Sequence, residues 1–246
     1  VNRVLVIAGS DSSGGAGITR DVSTLTELGT GALCAITAIT AQTDEEVRMV
    51  HALSATLVEA QIRAALAAAH VGAIKIGMLG NAANIGVVCE ILARSEVPLV
   101  VDPVLAASSG GLLLDHAGRE ALRRLVPLAT LITPNIPEAA ALLGAPVARS
   151  RGELVAQGEG LLALGARAVL LKGGHGEGSE CVDLLFSNTT SLRELRAARS
   201  LNTRRGSGCA LAAAIAAGLA AGFELHEACA RAKDYIGGFF QRGNSP

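Results

Sequence analysis

The chain's pattern predicts an α/β fold: a mostly parallel sheet covered by helices on both faces. Three observations carry that prediction. Short, continuous apolar runs alternate with longer Ala- and Leu-rich stretches of helical period, the order expected of βαβ units. Half of the 246 residues are hydrophobic and 29 are glycine, which suits one large core better than two and makes residues 1–246 a single domain. Polar residues and glycines follow the apolar runs directly, where an open α/β sheet binds its ligands.

In chain order, Val4–Ala8, Leu33–Thr37, Ala73–Ile76, Leu99–Val101, Leu128–Ile132 and Ala168–Leu171 read as buried strands. Val58, Ile62, Ala65, Leu66 and Ala69 recur at i, i+4, i+7, i+8 and i+11, one face of a helix. Segments 138–144 and 152–165 read as further helices, and 176–204 as a β-excursion built on Val182–Phe186. The run from Leu211, Leu-Ala-Ala-Ala-Ile-Ala-Ala-Gly-Leu-Ala-Ala, is a strong helix former. The strands are followed by Gly9-Ser10-Asp11, Gln42, Gly77-Met78, Asp102-Pro103, Thr133-Pro134-Asn135 and Lys172-Gly173-Gly174. Loops are polar in general. An Asp, an Asn with a nearby Glu, a Lys and a glycine-rich helix start on one edge are more than that generality supplies.

Composition excludes several classes of function. A formal charge of −1 and 2% aromatic residues provide neither a basic surface nor stacking platforms for nucleic acid. No apolar run reaches the ~18 residues of a membrane span, and the first residues lack an export signal, so a cytoplasmic protein is expected. Five cysteines, at 34, 89, 181, 209 and 229, show no C-x-x-C spacing and suggest neither a disulfide framework nor structural zinc.

The chemistry points to Arg204-Arg205-Gly206-Ser207-Gly208-Cys209-Ala210, which runs straight into the Ala-rich helix. Paired glycines let successive N–H groups converge, and a helix N-terminus carries unpaired donors and the positive end of the macrodipole, so phosphate is the expected guest. In that field the Cys209 thiol is expected to titrate below its reference value of about 8.5, as a base or nucleophile. The competing reading is a buried Cys opening a core helix. From Gly9 to Gly15, G-x-x-x-x-G-K fails because Gly15 stands where the motif's last position needs Lys, and neither Gly15-Ala-Gly17 nor Gly206-Ser-Gly208 completes G-x-G-x-x-G. Lys172 is a candidate point charge for phosphate, and Asp102 with Glu138 for Mg²⁺, which takes hard oxygen ligands through one or two carboxylates. For each of these three alone, an ordinary ion pair is the competing reading.

Seven segments in order carry a resemblance: Gly9-Ser-Asp-Ser-Ser-Gly-Gly-Ala-Gly17, Ile36-Thr-Ala-Ile-Thr-Ala-Gln42, Lys75-Ile-Gly-Met-Leu79, Val101-Asp-Pro-Val104, Thr133-Pro-Asn-Ile-Pro-Glu138, Leu171-Lys-Gly-Gly-His175 and Gly206-Ser-Gly-Cys209. Together they resemble the hydroxymethylpyrimidine and hydroxymethylpyrimidine-phosphate kinases of thiamine biosynthesis, in the ribokinase-like group. The resemblance implies a ribokinase-like sheet, ATP as donor with Mg²⁺, and a homodimer. It makes Cys209 the base and the amides of Gly206, Ser207 and Gly208 with Cys209 the anion hole. Gln42 would read the pyrimidine's amino group and ring nitrogen, with Gly9, Ala16, Asp21, Met78 and Val104 lining the same pocket. Lys172 would touch the ATP phosphates, and Asp102, Asn135 and Glu138 would handle the metal and its waters.

This chain departs from the family's pattern at several places. Ser12 stands for Pro, Thr19-Arg20 for Gln-Ala, Ser108 for Lys, and Arg204-Arg205 for Thr-His, while the family's closing Gly-x-Gly-Pro…His segment is not found before Pro246. An arginine, Arg205 by its position, is expected to meet the phosphate of the monophosphate in place of the lost lysine. Two other readings stand beside the two-step pyrimidine kinase: a vitamin B6 (pyridoxal) kinase, and a pyrimidine-binding homologue that has lost turnover.

Overall fold

The computed structural model describes residues 2–107, 111, 113–173, 179–189, 192–199 and 205–241. Ser108, Gly174, His175, Arg204 and part of the expected β-excursion lie outside the described residues. Strands β1 (Arg3–Asp11), β2 (Gly31–Gln42), β3 (Val47–Ala52), β4 (Ala73–Ile76), β5 (Leu99–Val101), β6 (Leu131–Ile132), β7 (Ala168–Leu171), β8 (Glu180–Ser187) and β9 (Arg193–Ala198) form one sheet among the described residues. Its order is β3-β2-β1-β4-β5-β6-β7-β8-β9. The strands from β2 to β7 are parallel, whereas β3 at one edge and β8 and β9 at the other run antiparallel to their neighbours.

Strand alternation divides the core between the two faces. Leu5, Ile7, Ile74, Ile76, Val101, Val169 and Leu171 point to one face. There they meet α2 (Ala55–Ala68), α3 (Ala82–Leu92), α4 (His116–Leu122), α5 (Ile136–Leu143) and α6 (Arg151–Ala163). Val4, Val6, Ala8, Ala73, Val100 and Leu170 point to the other, against α1 (Gly17–Glu27), α7 (Ser207–Ala220) and α8 (Leu225–Gln241). Both faces of the parallel strands are therefore apolar, which is why these strands are unbroken hydrophobic runs. The α7 helix is sealed by small side chains: Ala212, Ala213 and Ala216 are fully buried.

The expected strands are present with one correction. Leu128 belongs to a 3₁₀ turn, Arg123–Leu128, and strand pairing begins only at Leu131. Pro127 in that turn has no N–H to give to a ladder. The expected helices at 58–69, 138–144 and 152–165 are α2, α5 and α6, each within a few residues, and the β-excursion includes the hairpin of β8 and β9. The chain's pattern gave no warning of β3. Its V-R-M-V-H-A run is exposed or half-exposed throughout and so shows no buried face.

Candidate active site

The carboxyl ends of β1, β2, β5 and β7 open into a cleft of about 580 Å³. Its floor at one end is the start of α7. Gly206 caps that helix in the left-handed region, φ 74°, and a Cβ there would overlap the carbonyl oxygen of Gly15, so the close approach of the two glycine loops requires glycine. Gly206, Ser207, Gly208 and Cys209 all line the cleft, where unpaired first-turn amides suit an anion.

Cys209 corrects one expectation. Burial pushes its thiol up to about 11 rather than down, and the nearby Asp21 and Asp102 add to the rise. Lys75 and the Gly17 amide oppose it without prevailing. A helix N-terminus lowers a thiol's pKa only where desolvation is not larger.

At the other wall, Lys172 donates to Asp102 Oδ1 at 2.9 Å and lies 3.9 Å from Glu138 Oε2. Burial alone would lower the Lys172 ammonium's pKa, but Asp102 and then Glu138 outweigh it and hold the value above the ordinary one. Thr133 Oγ1 donates to the same Asp102 oxygen at 3.3 Å. Asn135 and Glu138 form a capping box at the start of α5: each accepts the other's backbone N–H at 2.8 Å. Burial raises Glu138 to about 7, against Lys172, with Asp102 adding to the rise. A Cβ on Gly208 would lie 3.2 Å from Lys172 Nζ, so the cation reaches the anion-binding turn.

Around Gln42 the structure brings together the residues the sequence grouped with it, with one exception. Ser12 Oγ and the Gln42 backbone exchange two hydrogen bonds of 2.8 Å, and Thr40 Oγ1 donates to Gln42 Oε1 at 3.4 Å. Gly9, Ala16, Met78 and Val104 line the cleft beside Gln42, and Met78 packs with Ala38, Leu113 and Val104 in a small apolar cluster. Asp21 does not line it. That residue is fully buried on α1 and accepts a 2.7 Å bond from the equally buried Lys75.

Arg205 lines the cleft but is already engaged. Its Nη1 lies 3.0 Å from Ser13 Oγ, 2.8 Å from Thr43 O and 2.7 Å from Asp44 Oδ1, and Nη2 lies 3.2 Å from Asp11 Oδ2. It thus clasps the first glycine loop and the β2–β3 turn to the second glycine loop. Residues that the chain's pattern did not single out also line the cleft: Lys75, and the group Cys181, Asp183 and Lys233, in which Lys233 Nζ donates to Asp183 Oδ2 at 2.6 Å. An Asp inside the apolar run Val182–Phe186 was the available signal for that group.

Comparison with known proteins agrees with this geometry. A family model described as phosphomethylpyrimidine kinase matches residues 11–245. A hydroxymethylpyrimidine/phosphomethylpyrimidine kinase of Rhizobium meliloti (strain 1021) is 46% identical over 235 residues, covering 94% of this chain and 88% of its own. The crystal structure of phosphomethylpyrimidine kinase from Clostridium difficile 630 superposes with a TM-score of 0.84 at 39% identity, covering 96% of this chain and 98% of that one. The pyridoxal kinase from Staphylococcus aureus in complex with pyridoxal superposes with a TM-score of 0.88 at 32% identity, covering 98% and 88%.

Proposed function

Because the chain belongs to the phosphomethylpyrimidine kinase family, we propose that it phosphorylates hydroxymethylpyrimidine and then its monophosphate, with ATP as donor, in thiamine biosynthesis. It is a phosphotransferase of the ribokinase-like fold. One observation carries the site reading: Cys209, the open N-terminus of α7, Lys172 and Gln42 all face one cleft. The single nine-stranded sheet supports reading residues 1–246 as one domain.

In this reading Gln42 holds the pyrimidine by a donor and an acceptor, with Gly9, Ala16, Met78 and Val104 around the ring. Cys209, as thiolate, takes the proton of the acceptor hydroxyl while that oxygen bonds to the γ-phosphorus. The bond from that phosphorus to the bridging oxygen breaks, and ADP leaves with the electron pair. The amides of Gly206 to Cys209 receive the charge on the transferred group, and Lys172 meets the ATP phosphates with Asn135 alongside. No group of three metal-ligating side chains occurs among the described residues, but the two hard carboxylates Asp102 and Glu138 fit Mg²⁺, which commonly keeps several waters. When bound, Mg²⁺ would offset phosphate charge there.

Arg205 serves the second step by exchange. Its partner Asp44 is 78% exposed on its side chain, and exposed pairs are worth only about 0–1 kcal/mol, so a phosphate dianion can displace that carboxylate. A homodimer is part of the reading, supported by the edge strand β3, whose Met49 is 65% exposed. Action in the cytoplasm is likewise proposed. Among the described residues no helix is long and apolar enough to cross a membrane.

Incubation with Mg-ATP and a panel of pyrimidine and pyridoxal alcohols, read by product mass, tests the reading. Preferential pyrimidine phosphorylation is expected. Turnover of pyridoxal alone would transfer the assignment to a vitamin B6 kinase, and tight pyrimidine binding without turnover would mark a binding homologue.

A further inference from the structure

Strand β4 carries a lysine where a parallel strand ordinarily carries an aliphatic residue. Ile74 and Ile76 point into the α2–α3 side of the core, so Lys75 points with Ala73 toward α1 and α7. Its side chain is fully buried, as is that of Asp21, the partner 2.7 Å away. Room for the ammonium is kept by Gly77, where a Cβ would stand 2.8 Å from Lys75 Nζ. Burying a charge pair is expensive and adds little or no net stability over an apolar pair of the same shape. The pairing is also incomplete. An ammonium has three donors, Lys75 shows a hydrogen bond to Asp21 Oδ2, and Asp21 Oδ1 is buried without a partner. Lys75 and Cys209 both line the cleft, close enough for the charge of each to act on the other.

We propose that Lys75 is a positioning residue for phosphoryl transfer: its buried ammonium is the counter-charge that sustains the Cys209 thiolate, and Asp21 sets how much of that charge the sulfur receives. The role in turnover rests on Cys209 being the base; the effect on the sulfur does not. Five groups face Cys209. Lys75 comes from β4, Lys172 from the end of β7, Asp21 and the Gly17 amide from α1, and Asp102 from the end of β5. Of the groups favouring the thiolate, Lys75 contributes most, and Asp21 contributes the larger part of the carboxylate opposition. Burial holds Asp21 at about 6 even beside Lys75. Lys75 lowers that value, so without the lysine Asp21 holds its proton to higher pH and less charge is stranded.

The test is the rate at which iodoacetamide labels Cys209 at about pH 8, located by peptide mass, with the partly exposed Cys181 as internal reference. A tenfold change in thiolate fraction is partly offset by altered nucleophilicity, leaving about a threefold rate change per unit of pKa. Lys75→Met should slow labelling of Cys209 about threefold or more, and Asp21→Asn should speed it, with Cys181 unaffected. The pH at which kcat/KM for the alcohol reaches half its plateau should rise in the first variant and fall in the second. If either single variant fails to fold, Lys75→Met/Asp21→Asn removes both charges together and should still label more slowly than wild type. Unchanged labelling, or shifts in the same direction for the two single variants, would overturn the proposal and leave Lys75–Asp21 a structural pair. Full turnover by Cys209→Ala would instead remove the base assignment while leaving the labelling result standing.

Discussion

The base role proposed for Cys209 asks for a thiolate, and its burial favours the thiol, so the two demands conflict. With burial pushing it up to about 11, the thiol is largely protonated near neutrality, so the rate of the alcohol step should climb with pH across the neutral range. Cys209→Ala should leave pyrimidine affinity within a few-fold and lower turnover by ~10²-fold or more, measured by calorimetry and product mass. Normal turnover would make Cys209 a packing residue. Gln42→Leu should weaken pyrimidine binding roughly tenfold to a hundredfold, because it strands a ring nitrogen and an amino group at about 1–3 kcal/mol. Unchanged affinity in a titration would take Gln42 out of the site. Asp44→Asn should strengthen binding of the monophosphate but not of the alcohol, since it frees Arg205 Nη1 from its exposed partner. Arg205→Ala should slow monophosphate consumption more than alcohol consumption, and equal losses in both steps would reduce Arg205 to a loop clasp.

At the scale of elements, α5 ties its own stability to the buried carboxylate of its capping box, Glu138. Burial raises Glu138 from 4.5 to about 7, so between those values the native chain keeps a proton that the unfolded chain has released. Stability must then fall as pH rises from about 4.5 to about 7 and level off above, by linkage. Glu138→Gln should flatten that decline, with a remainder from Asp21, which is raised in the same sense. Chemical denaturation at about pH 5 and about pH 7.5 checks it, and an undiminished slope in the variant would place the proton elsewhere. The central strands and α2 were legible because their buried residues are apolar at a single period, and α7 because its alanines are strong helix formers. The α1 helix was not, since its buried face mixes Ile18 and Leu25 with Asp21 and Thr24. Likewise Gly206 to Cys209 and Gln42 announced themselves by local spacing. Lys75–Asp21 and Lys233–Asp183 did not, because their partners stand about fifty residues away and only the folded sheet introduces them.

Across the whole molecule, the cleft draws on both helical layers: Gly206 to Cys209 from the side of α1 and α7, Glu138 from the side of α5. Ligands that bridge the cleft should therefore stabilise the entire chain cooperatively. A non-hydrolysable ATP analogue at about a hundred times its Kd should add about 2.7 kcal/mol, read as one shifted thermal transition. Two separated transitions would show that the layers unfold independently. The alanines beneath α7 then take on a further meaning. Ala212, Ala213 and Ala216 do not line the cleft, yet their lack of bulk sets how close the helix lies to the sheet, and hence how far its first-turn amides stand from Lys172 and Gln42. They act as shims. A single added methylene or two there would shift the first-turn amides relative to Lys172, so if those amides hold the transferred phosphoryl as proposed, the rate of this enzyme can be tuned, or lost, from the far side of a helix.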